Sequence, residues 1–175
     1  MAKIGEYLDL GKGSLDERFE KTLKALKDGV PLIYQGVIKH DNLLGIPDLL
    51  KRLPDGSYIT IDIKSGMALE GADEENGDEG KPKKHYAVQL CLYNEVLRNL
   101  GFSKSKTGKI LDIDGVETVY ELDAMMGAKS KTTWWEEYER IKKNVDFLIK
   151  NLEKNKPAMK PSVCKLCPWY ASCKR

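Results

Sequence analysis

The sequence predicts an α/β fold: a central mixed sheet of about four to five strands flanked by helices. Three observations carry that expectation. Apolar residues recur at helical spacing near the start, middle and end of the chain, a block from Leu32 to Lys64 switches to short β-rich runs, and a further pair of runs surrounds the Asp114-Gly115 step.

Each element has its own signal. Ser14 followed by Glu17 forms a capping box, Leu15, Phe19, Leu23 and Leu26 share a stripe, and Gly29 follows, which predicts a helix over 14 to 28. The runs 32–39, 43–53 and 57–64 are separated by His40-Asp41-Asn42 and Pro54-Asp55-Gly56 and read as three consecutive antiparallel strands. Residues 70–84 are Gly-rich and charge-dense, with no aromatic or β-branched residue, and predict a mobile loop. Tyr86, Leu90, Tyr93, Leu97 and Leu100 make the stripe of a helix over 84–100, with Gly101 as its cap. Lys109 to Ile113 and Val116 to Leu122 form a hairpin around Asp114-Gly115. Thr133 and Glu136 cap a long helix with the seam Trp134, Tyr138, Ile141, Val145, Leu148 and Leu152, and Pro157 closes it. No internal repeat is present.

Composition narrows the class. At 175 residues with 41% hydrophobic and 32% charged content, one domain over 1–175 is expected, with a core over 30–122, a long helix over 132–156 and a cysteine-rich tail over 161–175. Lys plus Arg number 29 against 27 Asp plus Glu, so the net charge of +2 excludes a strongly basic nucleic-acid coat protein and leaves DNA contact to local patches. No stretch approaches the roughly 18 apolar residues of a membrane helix, and the start lacks a signal-peptide core, so the expectation is a cytoplasmic protein with no membrane partner.

The chemistry concentrates on the third predicted strand. Side chains alternate along a strand, so Tyr58, Thr60, Asp62 and Lys64 face one way and Ile59, Ile61 and Ile63 the other. Asp48 lies fourteen residues before Asp62, a separation that an antiparallel return brings back alongside. Mg²⁺ takes oxygen ligands and is usually held by one or two carboxylates with water and phosphate oxygens, a set that Asp48, Asp62 and the Ile63 carbonyl would supply. Lys64 beside such an ion would orient a water or neutralise developing charge during phosphodiester hydrolysis. An Asp-x-Lys pair taken alone is more often a solvated ion pair. Here it belongs to a longer string: Gly45-Ile46-Pro47-Asp48, then Asp62-Ile63-Lys64-Ser65-Gly66, then Gln89 and Tyr93 four apart on one side of the next helix.

That ordered string resembles the motifs of PD-(D/E)xK nucleases, in particular the RecB-like and CRISPR-associated iron-sulfur exonucleases, over residues 30 to 100 and the tail. The resemblance implies a restriction-endonuclease-like core and Mg²⁺- or Mn²⁺-dependent cleavage of DNA, with single-stranded or free ends as substrate. It implies that Asp48, Asp62 and Ile63 are metal ligands, that Lys64 is the catalytic lysine, and that Gln89 and Tyr93 position DNA or that lysine. Lys81, Lys83 and Lys84 close the predicted loop beside this helix and are expected to touch phosphates. The relatives act in CRISPR adaptation, recombination and repair or phage DNA processing, so partner proteins from those processes are expected too.

The tail carries Cys164, Cys167 and Cys173, and Cys91 stands alone. Clustered cysteines in a reducing compartment suggest metal rather than disulfides, and spacing fits either zinc or a 4Fe–4S cluster. The resemblance favours a structural 4Fe–4S cluster. Such a cluster takes four cysteines with the first near the domain start, yet residues 1–90 contain none. Cys91 is the candidate fourth ligand, although two residues of helix rotate it about 200° from Tyr93. The relatives also draw a histidine ligand from an early helix. His40 and His85 do not occupy that place and read as solvated, which leaves Glu17 or Glu20 as substitutes. The chain is accordingly expected to be a shortened family domain, starting downstream of the segment that carries the first cysteine and the histidine. Two competing readings are a catalytically weak or inactive DNA-binding or scaffold domain, and a zinc-stabilised interaction module.

Overall fold

The computed structural model describes residues 7–71, 80–127 and 130–151. Its contacts divide the chain into two compact units, Met1–Tyr138 and Glu139–Arg175. Among the described residues all of the sheet structure lies in the first.

That unit begins with strand β1 (Leu8–Asp9) and helix α1 (Leu15–Lys27), followed by β2 (Leu32–Tyr34), β3 (Ile38–His40), β4 (Leu43–Gly45), β5 (Leu49–Arg52) and β6 (Tyr58–Ile63). A short ribbon of β7 (Leu69–Glu70) and β8 (Lys81–Pro82) leads to helix α2 (Lys84–Asn99), the hairpin β9 (Thr107–Leu111) and β10 (Glu117–Glu121), and the start of α3 (Trp134–Lys150). Six strands form the main sheet in the order β1-β2-β5-β6-β9-β10. β2, β5 and β6 are antiparallel neighbours, whereas β6 and β9 run parallel, as a strand-helix-strand crossover through α2 requires. The sheet is mixed, as expected, but it has six strands among the described residues rather than four to five.

The predicted runs 32–39 and 43–53 each break in two. Gln35 takes a φ of 54°, and a Cβ on Gly36 would lie 3.0 Å from Leu50 Cδ1 and 3.2 Å from Ile33 and Thr22 methyls, so the chain turns out of the sheet there. It returns at Ile46-Pro47, where proline offers no N–H for a ladder. Between these points β3 and β4 form a separate two-stranded ribbon that packs on α2.

β6 is central and covered on both faces, with Tyr58, Ile59, Thr60, Ile61 and Asp62 all buried. Both faces are therefore interior: Tyr58 and Thr60 are buried as fully as Ile59 and Ile61. The helices match their signals better. Ser14 and Glu17 exchange capping-box bonds at the start of α1, and the α2 C-cap at Leu100 is followed by Gly101 at φ 82°. The seam expected along α3 is buried only at Trp134 and Tyr138. Val145 and Leu148 are exposed, and Leu152 and Pro157 lie outside the described residues. The expected mobility of residues 70–84 falls largely on 72–79, also outside the described residues, while Leu69–Glu70 and Lys81–Pro82 are ordered as the β7–β8 ribbon.

Candidate active site

The carboxylates and the lysine meet where the β5–β6 ladder ends. The backbone register of these strands stops at Leu49 opposite Ile61. One step further, the Asp48 side chain takes over the role of a strand partner: its Oδ2 accepts from the Ile63 backbone N–H at 2.8 Å. The Asp48 N–H in turn points at Asp62 Oδ1, 3.4 Å away. Asp62 is 2% exposed, and its Oδ2 lies 2.5 Å from Lys64 Nζ. The two acids and the lysine expected to converge do so.

Lys64 is tied into α2. Its Nζ donates to Gln89 Oε1 at 2.8 Å, and Gln89 Nε2 donates to the Tyr93 hydroxyl at 2.7 Å. An ammonium has only donors, so the Gln89 amide must present its oxygen to Lys64 and its NH₂ to Tyr93. The Tyr93 hydroxyl is 3.5 Å from the Ile46 carbonyl, just before Asp48. Gln89 and Tyr93 thus share a chain of contacts running from the lysine back to the turn that delivers Asp48. Gly45 makes room for it: a Cβ there would lie 2.5 Å from Tyr93 Cδ1 and 2.7 Å from Cε1.

Electrostatics follow from burial. Desolvation raises the Asp62 pKa above its usual value, the Lys64 ammonium opposes that shift, and the nearby Asp48 charge adds to it. Burial, joined by the Asp62 and Asp48 charges, pushes the Tyr93 hydroxyl up to about 12 despite the Gln89 hydrogen bond, so it remains a protonated phenol at neutral pH.

Two crowded carboxylates, one of them buried, suit a divalent cation that would neutralise both. The N–H and C=O of a strand residue project toward the same edge, so the Ile63 carbonyl faces the side on which Asp48 sits. Among the described residues no group of three or more His, Cys, Asp or Glu converges. The set fits Mg²⁺ or Mn²⁺ completed by water and phosphate, and it does not fit a four-ligand zinc site.

The remaining candidates are dispersed. Glu17 is occupied in the α1 capping box and Glu20 is exposed, and neither joins Asp48 and Asp62 in a group of three such residues. His85 is exposed and edge-on to Tyr86, and His40 lies on β3 3.4 Å from Asp41. Lys81 pairs with Glu70 at 3.4 Å, and Lys84 forms an ion pair with the buried Glu137. Lys83 sits 5.5 Å from the centre of the Tyr86 ring, which also carries Lys64 at 5.2 Å. Cys91 is fully buried in the core, and burial pushes its thiol up to about 12. Cys164, Cys167 and Cys173 lie outside the described residues.

Sequence reasoning missed Tyr86, Gln35 and Arg18. Gln35 Nε2 donates to Asp48 Oδ1 at 2.6 Å, and Arg18 donates to the Gln35 carbonyl at 2.6 Å. The available signal was the Gln35-Gly36 step inside an otherwise apolar run, which marks a break rather than a continuous strand.

A family model for the PD-(D/E)XK nuclease superfamily matches residues 5–174. The chain belongs to that superfamily. Its name describes what the site displays: Pro47-Asp48 immediately before β5, and Asp62-Ile63-Lys64 at the end of β6. Membership supports nuclease activity. The chain is also similar to the FACT complex subunit SPT16 of Kluyveromyces lactis, at 28% identity over 102 residues. That match covers 58% of this chain and spans about 9% of the relative's length, too little to assign a function. No helix among the described residues is long and apolar enough to cross a membrane.

Proposed function

We propose that the chain is a Mg²⁺- or Mn²⁺-dependent deoxyribonuclease acting on single-stranded DNA or free ends. The observation that carries this reading is the convergence of Asp48, Asp62 and Lys64, with Lys64 held by Gln89. In this reading Asp48, Asp62 and the Ile63 carbonyl hold the ion, which when bound polarises the scissile phosphate and acidifies a water. Lys64 orients that water at Nζ and offsets the charge that builds on phosphate. Gln89 and Tyr93 fix the lysine's position. Lys83 is the phosphate contact we favour from its cluster, because Lys81 and Lys84 already face carboxylates. Work on DNA ends in CRISPR adaptation, recombination and repair or phage DNA processing is compatible with that chemistry.

Asp62→Ala and Lys64→Ala should each remove Mn²⁺-dependent cleavage of a labelled single strand while leaving the circular dichroism spectrum unchanged. Cleavage that survives both substitutions overturns the assignment. The tail cysteines Cys164, Cys167 and Cys173 are proposed to hold a 4Fe–4S cluster, with zinc as the alternative. Iron and zinc analysis of protein purified without oxygen separates the two.

A further inference from the structure

Asp48 is gripped at both oxygens. The Ile63 N–H occupies one side of the carboxylate, and the Gln35 amide, from the bend just after β2, holds Oδ1 at 2.6 Å. Gln35 is unusual in its backbone as well: at φ 54° it occupies the left-handed region, which non-glycine side chains seldom adopt. Three contacts hold it there. Its N–H donates to the Asp48 carbonyl at 2.9 Å, its carbonyl accepts from Arg18 Nη2 at 2.6 Å, and the following Gly36 is wedged against Leu50, Ile33 and Thr22.

If this position served only to turn the chain, glycine would turn it with less strain and the same backbone bonds. The side chain therefore needs its own explanation, and its contact with Asp48 provides one. A neutral amide fixes a carboxylate without cancelling its charge, as a lysine or arginine would. Each carboxylate oxygen also keeps a lone pair free when it accepts a single hydrogen bond. These two contacts thus hold Asp48 in place without pairing it to a cation.

We propose that Gln35 is a positioning residue for the metal-binding carboxylate of Asp48, locked in its left-handed conformation by Arg18. This rests on the metal reading given above and deepens it: the bend just after β2 that bears Gln35 becomes part of the outer shell of the ion's site. Hydrogen-bonding partners behind metal ligands commonly contribute 10- to 100-fold in affinity.

The test is Mn²⁺ binding by calorimetry on DNA-free protein, with thermal unfolding measured alongside. Gln35→Gly keeps the backbone geometry and removes the amide, and Gln35→Met keeps most of the side-chain length and removes the donor. Both should weaken Mn²⁺ about 10-fold or more, while Gln35→Gly retains or raises the metal-free melting temperature. Asp48→Asn serves as the reference. If wild type and Asp48→Asn bind Mn²⁺ equally, or neither binds it, the metal reading falls and the inference falls with it. If Asp48→Asn loses the ion but both Gln35 variants bind like wild type, only the inference is overturned. Unfolding of both Gln35 variants would likewise overturn it, by reducing Gln35 to a structural part.

Discussion

Gly45 marks the tightest packing around the site, since its missing side chain is the space that the Tyr93 ring fills. Gly45→Ala forces a methyl into that ring, and overpacking of this kind costs about 1–3 kcal/mol. The expected result is a melting temperature lower by roughly 2–4 °C per kcal/mol for a chain of this size. Slower cleavage should accompany it, because Tyr93 carries Gln89 and Gln89 carries Lys64. Differential scanning calorimetry and a cleavage assay check both effects. Asp62 sets a pH dependence. Its pKa is raised in the folded protein, so the fold binds this proton more tightly than the unfolded chain does. Metal-free stability should therefore decline as pH rises from the usual 3.8 through the raised value, a decline that Asp62→Asn does not share. Stabilisation by added Mn²⁺ should grow over the same window, because the ion needs the ionised carboxylate. Melting curves of wild type and Asp62→Asn, with EDTA or with Mn²⁺, give the sign directly.

Among the elements, α2 does most to connect core and chemistry: one side supplies Gln89 and Tyr93 to the site, while Leu90, Cys91 and Leu97 are wholly buried. The buried, poorly ionised Cys91 thiol should resist alkylation in the native protein and react only after denaturation. Peptide mapping by mass spectrometry after a short iodoacetamide pulse reads this out, and native-state labelling of Cys91 would contradict the packing described. Local signals made much of this architecture legible in advance. Ser14 with Glu17, the stripe from Tyr86 to Leu100 and the Asp114-Gly115 turn are short-range codes, and the structure follows each. Asp48, Asp62, Lys64, Gln89 and Tyr93 were legible as a string because their spacing fits one motif series. The breaks at Gln35-Gly36 and Ile46-Pro47 left local marks, a glycine inside an apolar run and a proline without an N–H, but that the chain leaves the sheet at the first of them depends on Leu50, Ile33 and Thr22 crowding Gly36. Burial of both faces of β6 was equally hidden, because it depends on what the rest of the chain lays over Thr60.

At the scale of the whole molecule, a net charge of +2 leaves DNA binding to a few well-placed cations. Removing one phosphate contact lowers the salt slope of single-strand binding by about 0.7. Lys83→Ala should show that decrease, whereas Lys81→Ala should show little change. Lys84→Ala should mainly reduce stability, because it removes the ion pair to buried Glu137. Fluorescence anisotropy between low and moderate salt checks the slopes, and equal slopes for all three variants would remove Lys83 from the interface. The frame supporting this surface has one further property. Its β5–β6 ladder stops at Leu49 and Ile61, and the next hydrogen bond is made by the Asp48 carboxylate with the Ile63 N–H. The final rung of the sheet is therefore also part of the candidate catalytic apparatus. Proton exchange at the Ile63 amide becomes a native spectroscopic gauge of how firmly Asp48 is held, readable from the backbone with no substrate present.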